Sequence, residues 1–335
     1  MDRLKKIMKN FFYKSKRAFG SQLAILCYHR VEDYITDPVK ITVSKNNFLK
    51  QIDFLDQFAN IINPDQLFDY LKNKRKLPRR SVLLTFDDGY ASYRDTMELL
   101  KEELISAIFF ISLRKEKYWW DILSKLLLEN QHLKSPELKK INYLLSDMGY
   151  QFQVEEHIDS KLMRTLTKWD VTVNNFPFNR NKAFYLLAKK LEEIDSYHES
   201  KLLKIITSLS NARRDFSYLK EKHLTEHHKI GFHTINHFNL SKLSYNDQRK
   251  EIELGKKHLD SIVGKEVEIF AYPYGGRIHY NETTLEIVRR NFNFAFSNFE
   301  GLVYEDSNVY ELPRFLVRDW KIDKFIKKIK GFFGK

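Results

Sequence analysis

The sequence predicts an α/β protein in which short buried strands alternate with helices, as in parallel sheets and α/β barrels. The run at 82–86 is almost continuously apolar, which is typical of a strand buried on both faces. A helical pattern follows it, with apolar residues from Tyr93 to Leu104 at helical spacing. The length of 335 residues is more than one small domain needs, but it suits a single α/β barrel.

Further strands and helices repeat this alternation along the chain. Apolar runs predict strands at 23–28, 107–112, 229–232, 267–272, 293–297 and 310–312. Helical periodicity predicts helices at 44–59 with Ser44 as the N-cap, from Asn63-Pro64 to Leu71, at 245–262 and at 282–290. Polar residues that follow these strands therefore lie where α/β proteins usually place their chemistry.

The alternation stops between 114 and 227, where the pattern is mainly helical. Helical segments are predicted at 122–128, 138–145, 161–167, 184–194 and 202–209. We therefore expect residues 21–113 and 228–319 to form the α/β body and residues 114–227 to form a helical insertion. The ends, 1–20 and 320–335, are expected to be two separate amphipathic segments.

Tyr118, Trp119 and Trp120 stand at the start of the insertion. If they are exposed, the two indoles form a platform on which a sugar ring stacks. If they are buried, they anchor the insertion to the body, and residue type favours this alternative. Trp119 and Trp120 remain candidate substrate contacts.

The charge of the chain is concentrated at its two ends. The formal net charge is +13, and residues 1–20 and 321–335 carry seven and six basic residues against one acidic residue each. The body is therefore nearly neutral, which does not favour nucleic-acid binding. The single cysteine, Cys27, excludes an internal disulfide and a thiolate zinc cluster. No apolar run reaches the roughly 20 residues that span a bilayer, and no signal-peptide core follows the basic start.

Both ends have the profile of interfacial helices. In 320–335, the residues Trp320, Phe325 and Phe332 share one apolar face with four isoleucine and phenylalanine neighbours, and lysines cover the rest. Such helices bind anionic membrane surfaces. The sequence thus predicts a cytoplasmic protein held at the inner face of a membrane, and packing of either helix against the barrel is the alternative.

Asp87-Asp88-Gly89 and His233/His237 are the residues that predict chemistry. The two aspartates end the buried strand at 82–86, and the histidines are four residues apart after another strand, so both imidazoles face one way on a helical turn. Either motif alone is as compatible with a turn or a chance pair. Together, Asp88, His233 and His237 form the ligand set of a catalytic divalent metal, most often zinc.

Two other groups complete this candidate site. If Asp88 binds the metal, Asp87 is left as a carboxylate where a general base belongs. The sequence Pro273-Tyr274-Gly275-Gly276 ends another strand, and a backbone N–H there could receive an oxyanion. Taken alone, the sequence at 273–276 is better explained by an ordinary Pro-Gly turn.

The motifs together resemble those of polysaccharide deacetylases of the NodB-like carbohydrate esterase family. The first is TFDDG at 85–89, the second is HTINH at 233–237, and the third is partly matched by YPYG at 272–275. The resemblance implies a deformed (β/α) barrel, the NodB homology fold. It also implies that Asp88, His233 and His237 hold the metal, that Asp87 is the base, and that the Tyr274 N–H contacts the oxyanion beside Pro273 and Gly275.

The chain departs from the family pattern at two positions. The arginine that orients the catalytic aspartate is replaced by Ala271, and we expect Arg314 to substitute for it, with Arg277 as the second candidate. The late Leu-x-x-His that supplies the general acid is absent. A branch of the family with a FAYPYG third motif carries an early Tyr-His instead, here Tyr28-His29. If the first strand closes the barrel, His29 faces the metal from the side opposite Asp87; a histidine hydrogen-bonded at a strand end is the alternative.

The resemblance implies a metal-dependent hydrolase that removes acetyl groups from the amino sugars of a polysaccharide or glycan precursor. Two alternatives remain at this stage: an esterase for O-acetylated glycans, and a glycan-binding protein whose site is degenerate. The intact Asp-Asp-Gly and His-x-x-x-His motifs argue against the second.

Overall fold

The computed structural model describes residues 22–173, 175–193, 202, 204–206, 208–209 and 214–334. The predicted helix at 1–20 lies outside these residues, so its membrane contact stays a prediction. No helix in the described part of the chain has both the length and the apolar character that crossing a membrane requires.

A curved parallel sheet forms the centre of the molecule. Its strands are β1 (Leu23–Tyr28), β4 (Asn60–Ile61), β5 (Ser81–Phe86), β6 (Ile108–Ile111), β7 (Lys229–Phe232), β8 (Ile269–Ala271), β9 (Phe294–Phe296) and β10 (Phe315–Leu316). The order is β10-β1-β5-β6-β7-β8-β9, with β4 beside β5, and every pairing is parallel. The short strands β2 (Arg30–Val31) and β3 (Thr42–Val43) pair separately.

The sheet curves into a half-barrel because the chain after β9 returns to the first strand. Leu312 bridges to Phe296 of β9, and three residues later β10 pairs with β1. The predicted α/β barrel is therefore confirmed. The predicted strand at 310–312 is wrong, because this segment makes only the bridge at Leu312 and the paired strand begins at Phe315.

The central strands are buried on both faces, as their apolar runs predict. All six residues of β5 are buried. Val82 and Leu84 enter one apolar cluster, whereas Leu83 between them enters a second cluster with Ile25 and Phe110. Since alternate residues of a strand point to opposite faces, two cores require an unbroken apolar run.

Helices surround the sheet. They are α1 (Lys45–Phe58), α2 (Pro64–Asn73), α3 (Tyr93–Glu102), α4 (Trp119–Leu123), α5 (Ser135–Asp147), α6 (Met163–Thr167), α7 (Asn179–Glu193), α8 (Lys222–His227), α9 (Tyr245–Arg249), α10 (Gly255–Val263), α11 (Glu282–Asn291) and α12 (Ile322–Phe332). Asn63 caps α2 through a capping box with Gln66. Ser44 stands at the N-cap position of α1, but its side chain makes no capping hydrogen bond; its hydroxyl is directed at Asp319, to which it donates at 2.8 Å.

The residues described between β6 and β7 form helices α4 to α8 and shorter helical turns. Their one β contact is an isolated bridge between His132 and His157. The predicted helix at 202–209 falls partly outside the described residues. Whether 114–227 is a separate structural unit stays a prediction.

The C-terminal helix α12 packs its apolar face against the barrel. Phe325 and Ile329 are fully buried, and the ring of Phe325 meets that of Phe54 on α1. The ring of Phe332 stacks on Phe315 of β10 with a centroid distance of 3.6 Å. The interpretation of 320–335 as a membrane-surface helix is therefore not supported, because the face that would enter the lipid already closes the barrel.

Candidate active site

A pocket of about 300 Å³ opens at the carboxyl ends of the strands. The structure brings most of the candidate site residues to its walls: His29, Asp87, Asp88, Trp119, Trp120, His233, His237 and Tyr274. Arg314 lies beneath this surface and is completely buried. Residues that are distant in sequence therefore meet here because parallel strands end at one edge of the sheet.

Asp88, His233 and His237 form a compact buried cluster. Their potential ligand atoms all lie within 4.8 Å of one another. The Asp88 Oδ1 atom is 3.5 Å from Nε2 of His233 and 3.3 Å from Nε2 of His237. The Nδ1 of His233 lies 2.8 Å from the carbonyl oxygen of Ala271. Since a carbonyl only accepts, Nδ1 carries the proton and leaves the lone pair of Nε2 directed at the cluster.

The donor set of this cluster fits a divalent metal. Asp88 Oδ1 is buried, and within the described residues it makes no hydrogen bond of good geometry. Burial acts to raise the pKa of Asp88, but the two imidazoles outweigh it and leave this pKa well below its usual value. Burial also lowers the pKa of His237, which favours the neutral ring that a metal requires. One ionised carboxylate and two neutral imidazoles are a set that zinc accepts.

The backbone is left-handed at four non-glycine residues around the pocket. Their φ angles are +85° at Asp88, +63° at Thr234, +59° at His237 and +59° at Tyr274. Such conformations cost about 1–3 kcal/mol each, and they persist where the surroundings enforce them. The turn at 233–237 shows how, because the hydroxyl of Thr234 accepts the N–H of His237 at 3.0 Å.

Asp87 is paired with Arg314 through both carboxylate oxygens. Nη1 donates to Oδ1 at 2.7 Å and Nη2 donates to Oδ2 at 2.6 Å. Nε of the same guanidinium donates to the carbonyl of Ser297, which fixes its orientation. Burial acts to raise the pKa of Asp87, but Arg314 more than compensates, so the net pKa is lowered. Arg277, the second candidate for this contact, is instead exposed and lies over the ring of Phe299.

His29 lies between β1 and β2, on the same side of the pocket as Asp87. The expectation that it faces the ligand cluster from the side opposite Asp87 is therefore wrong, because the end of β1 lies directly beside the end of β5. One of its ring nitrogens, an Asp87 oxygen and the Cys27 sulfur all lie within 4.8 Å of one another. Its Nδ1 is buried without a hydrogen-bond partner in the described part of the chain. Burial lowers the pKa of His29.

The third motif forms a tight turn after β8. The N–H of Gly275 donates to the carbonyl of Pro273 at 2.6 Å. Gly275 has a φ of +67°, and a Cβ atom there would lie 2.5 Å from Cβ of Asn298. Only glycine allows the two loops to approach this closely, and the approach places Tyr274 in the pocket wall.

Trp119 and Trp120 are buried, with 5% and 6% of their surfaces exposed. Trp120 stacks on Tyr118 at 4.3 Å and donates from Nε1 to the hydroxyl of Tyr90 at 2.9 Å. The alternative of an exposed stacking platform is therefore wrong, and the indoles anchor the helical segment. Both still line the pocket, so their contact with a substrate stays a prediction.

The sequence did not point to Glu251, which holds the histidine turn in place. Its carboxylate accepts the N–H groups of Ile235 at 3.1 Å and Asn236 at 2.8 Å, and the Asn236 side chain at 2.6 Å. Glu251 lies in a π-helical turn, Lys250–Leu254, that joins α9 to α10. The extra residue in this turn shifts the helical phase, which is why regular spacing did not identify its buried face.

His279 and Asn298 are also pocket residues that the motifs did not include. The Nδ1 of His279 accepts the N–H of Gly276 at 3.1 Å. The N–H of Asn298 donates to the carbonyl of Gly275 at 2.8 Å. Both residues brace the turn that carries Tyr274, and their role depends on long-range contacts that have no local signal.

The match to a family model agrees with this geometry. A model described as polysaccharide deacetylase matches residues 74–136 and 134–292, which together make up more than half of the chain. The chain belongs to the polysaccharide deacetylase family. The matched segments contain Asp87, Asp88, both histidines and Tyr274, whereas His29 and Arg314 lie outside them.

Curated proteins that resemble the chain include poly-β-1,6-N-acetyl-D-glucosamine N-deacetylases from several strains of Staphylococcus aureus, among them MSSA476 and N315. They are 30% identical to it over 126 residues. This alignment covers 35% of this chain and 42% of each relative. The match therefore spans less than half the length of these relatives.

Solved deacetylase structures share the fold. A deacetylase of Streptococcus pyogenes in complex with acetate is 17% identical, with a TM-score of 0.52 over 92% of this chain and 99% of that chain. A de-N-acetylase of Aggregatibacter actinomycetemcomitans is 16% identical, with a TM-score of 0.53 over 92% and 100%. The curved parallel sheet is thus the (β/α) barrel of these deacetylases.

Proposed function

We propose that the protein is a metal-dependent deacetylase that removes N-acetyl groups from the amino sugars of a polysaccharide or glycan precursor. The observation that carries this proposal is the contrast between two adjacent buried carboxylates. Asp87 is fully paired with Arg314, whereas Asp88 directs an unpartnered oxygen at two imidazoles. Family membership and the names of the S. aureus relatives support the choice of reaction.

Asp88, His233 and His237 are the residues that would hold the metal, for which zinc is the first choice. When bound, a divalent metal polarises an acetyl carbonyl and lowers the pKa of water near it. We assign the remaining steps to other side chains, which lie on the strand ends of the body, residues 21–113 and 228–319.

Asp87 takes the proton of the attacking water. Its pKa is lowered by Arg314 despite burial, so the carboxylate is ionised and ready to accept a proton at neutral pH. The bidentate guanidinium uses one lone pair on each oxygen and leaves others for the water. Arg314 also fixes the direction of the carboxylate, which matters because a misplaced base transfers protons poorly.

Tyr274 acts on the acetyl side of the scissile bond, and His29 acts on its amine side. The backbone N–H of Tyr274 donates to the acetyl oxygen as it gains negative charge. The imidazolium form of His29 donates a proton to the departing amine. Burial lowers the pKa of His29, so the neutral ring is the main form at neutral pH and the step uses the smaller protonated fraction, which is a stronger acid than an ordinary imidazolium.

The arrangement also supports the enzymatic alternative over the non-enzymatic one. A glycan-binding protein has no need of a buried, ion-paired base beside a buried ligand cluster, and such charges are costly to bury. O-acetyl hydrolysis uses the same carboxylate but depends less on His29, because an alcohol leaves more easily than an amine. We therefore favour an amide substrate, because its hydrolysis depends on the proton that we assign to His29.

Deacetylation assays on the full-length protein test this proposal. Oligomers of poly-β-1,6-N-acetylglucosamine, an acetylated chitooligosaccharide and an O-acetylated oligosaccharide are incubated with the protein, with and without a chelator. We expect release of acetate from an N-acetylated oligomer that the chelator abolishes and added zinc restores. Activity that survives complete removal of metal contradicts the metal dependence, and exclusive activity on the O-acetylated oligosaccharide contradicts the choice of an amide substrate.

A further inference from the structure

The backbone carbonyl of Asp88 accepts hydrogen bonds from two side chains of the helical segment between β6 and β7. The hydroxyl of Tyr118 donates to this oxygen at 2.8 Å. Nη2 of Arg214 donates to it as well, and also donates to the carbonyl of Gly89 at 2.7 Å. The carbonyl oxygen of the left-handed Asp88 is therefore held by two donors, both from the helical segment between β6 and β7.

Arg214 is itself held rigidly. Its Nη1 donates to the carbonyls of Ser112 at 3.2 Å and Arg114 at 3.1 Å. Its guanidinium lies over the rings of Tyr118 and Phe216, 4.5 and 4.8 Å from their centroids. An arginine bound at one end to the end of β6 and at the other to the Asp88–Gly89 peptides works as a fixed brace.

Gly89 provides the room that this brace requires. Its φ is +73°, and a Cβ atom there would lie 3.3 Å from Nη2 of Arg214 and 3.2 Å from the side chain of Ile111. The glycine of the Asp-Asp-Gly sequence thus does more than turn the chain. It lets the guanidinium reach the main chain next to the ligand.

The same segment touches a second ligand of the cluster. The rings of Tyr118 and Trp120 meet the imidazole of His237 edge-on, at centroid distances of 5.4 and 5.5 Å. The segment therefore contacts Asp88 through hydrogen bonds and His237 through ring packing. The two residues that donate to the Asp88 carbonyl, Tyr118 and Arg214, are more than ninety positions apart in the sequence.

We propose that Tyr118 and Arg214 are positioning residues that set the metal affinity of the Asp88, His233 and His237 cluster by fixing the main chain of Asp88. Left-handed aspartate is unfavourable on its own, so loss of the donors lets the carboxylate turn away from the imidazoles. Partners behind a ligand typically change metal affinity by 10- to 100-fold. This inference rests on the proposed metal-dependent function.

The test compares matched variants of the full-length protein by competition for zinc with a chromophoric chelator. Tyr118→Phe removes one donor and keeps the stacked ring, and we expect the zinc dissociation constant to rise about tenfold. Arg214→Lys keeps the charge but not the two-armed geometry, and we expect a rise approaching 100-fold. Unfolding midpoints of the metal-free proteins are measured in parallel.

Two control variants separate positioning from general stability. Tyr218→Phe removes a nearby buried hydroxyl that has no hydrogen-bond partner among the described residues. Arg180→Lys alters another buried arginine, which donates to the carbonyls of Glu155 and Glu156 at 2.7 Å away from the cluster. We expect both controls to keep the wild-type zinc affinity, although Arg180→Lys lowers the unfolding midpoint.

The outcomes decide the inference separately from the function. Unchanged zinc affinity in Tyr118→Phe, or an equal loss in Arg180→Lys, overturns the positioning role even if the wild type is an active deacetylase. If Arg214→Lys does not fold, the zinc affinities of Tyr118→Phe and Tyr218→Phe are compared, and this comparison decides the inference alone. If the wild type binds zinc but deacetylates none of the substrates, the proposed function is contradicted, and the comparison of zinc affinities still tests the positioning role. A wild type that binds no divalent metal overturns both.

Discussion

Asp87 and Asp88 are consecutive residues, and both are buried, yet the regions around them differ completely. Both oxygens of Asp87 are bound by Arg314, at 2.7 and 2.6 Å. Asp88 meets two imidazoles, and its Oδ1 has no hydrogen bond within the described residues. A buried carboxylate needs a compensating charge. The Asp87 region already contains one in Arg314, whereas Asp88 faces only the two imidazoles, and its Oδ1 is the oxygen that we assign to a metal ion.

The largest effects should come from mutations that remove either the metal ligands or the proposed base. We expect Asp88→Ala, His233→Ala and His237→Ala each to lose bound metal and all turnover. Asp87→Asn should keep the metal and lower kcat by about 10²–10⁴-fold, the range of general acid–base catalysis. Metal content after dialysis and kcat on an N-acetylated oligomer measure both quantities. If Asp87→Asn loses metal as readily as Asp88→Ala, the division of roles is incorrect.

Removal of Arg314 should leave the buried charge of Asp87 without its compensating cation. Arg314→Gln leaves a buried carboxylate without its cation, which costs about 3–5 kcal/mol of stability at neutral pH. Because the folded-state pKa of Asp87 is lowered despite burial, the pair stabilises the fold above the unfolded-state pKa of the carboxyl. That contribution disappears as the pH falls through the lowered pKa.

The difference between wild type and Arg314→Gln should therefore shrink towards acidic pH. Urea unfolding at several pH values measures it. Arg277→Gln is the control, since this arginine is exposed on the ring of Phe299, and we expect a change below about 0.5 kcal/mol. A constant difference across the pH range contradicts the ion-pair explanation.

Loss of His29 should affect the hydrolysis rate of one class of substrate more than that of another. We expect His29→Ala to slow hydrolysis of an N-acetylated sugar by about 10²-fold and hydrolysis of an activated acetate ester only slightly, because a good leaving group needs no proton. His279→Ala is the matched control, since that ring braces the Gly276 turn, and it should change both rates by a similar factor. Equal losses in His29→Ala would make its role positional.

Cys27 should have the smallest effect. Its sulfur lies 3.5 Å from Oδ2 of Asp87, but a thiol is a weak donor beside a guanidinium. We expect Cys27→Ala to change kcat/KM by less than about threefold. Burial raises the pKa of this thiol well above its usual value, so the native protein should not react with a thiol reagent such as DTNB. Rapid modification without unfolding would contradict this description.

Sequence patterns predicted those parts of the site that are local. A buried strand followed by Asp87 and Asp88, and a short turn carrying His233 and His237, are visible over ten residues. Arg314 was predicted because it follows the strand expected at 310–312 and because the family's usual arginine position holds Ala271. The expected strand is wrong, but Arg314 still reaches Asp87 from the position directly before β10. Which arginine contacts Asp87 required the structure, since Arg277 is an equally good candidate by residue type.

The missed features depend on tertiary contacts. Nothing near Arg214 or Tyr118 in the sequence indicates that they meet at the carbonyl of Asp88, and Glu251 is hidden by a π-turn. The apolar face of α12 has the same periodicity whether it covers lipid or the barrel, and only packing on Phe54 and Phe315 decides. Ser44 shows the same point for caps, because its hydroxyl is directed at Asp319, 275 positions away, and makes no capping hydrogen bond to α1.

The partnership of Asp87 and Arg314 also has a consequence for how the protein is made. The two residues are 227 positions apart in the chain. At roughly 5–20 residues per second of synthesis, Arg314 leaves the ribosome on the order of ten seconds or more after Asp87. Throughout that interval the carboxylate lacks the guanidinium that pairs with both of its oxygens, so burying it is less favourable. Docking of β10 is then the event that completes the catalytic apparatus, and nascent chains that have not yet reached Arg314 should be catalytically silent.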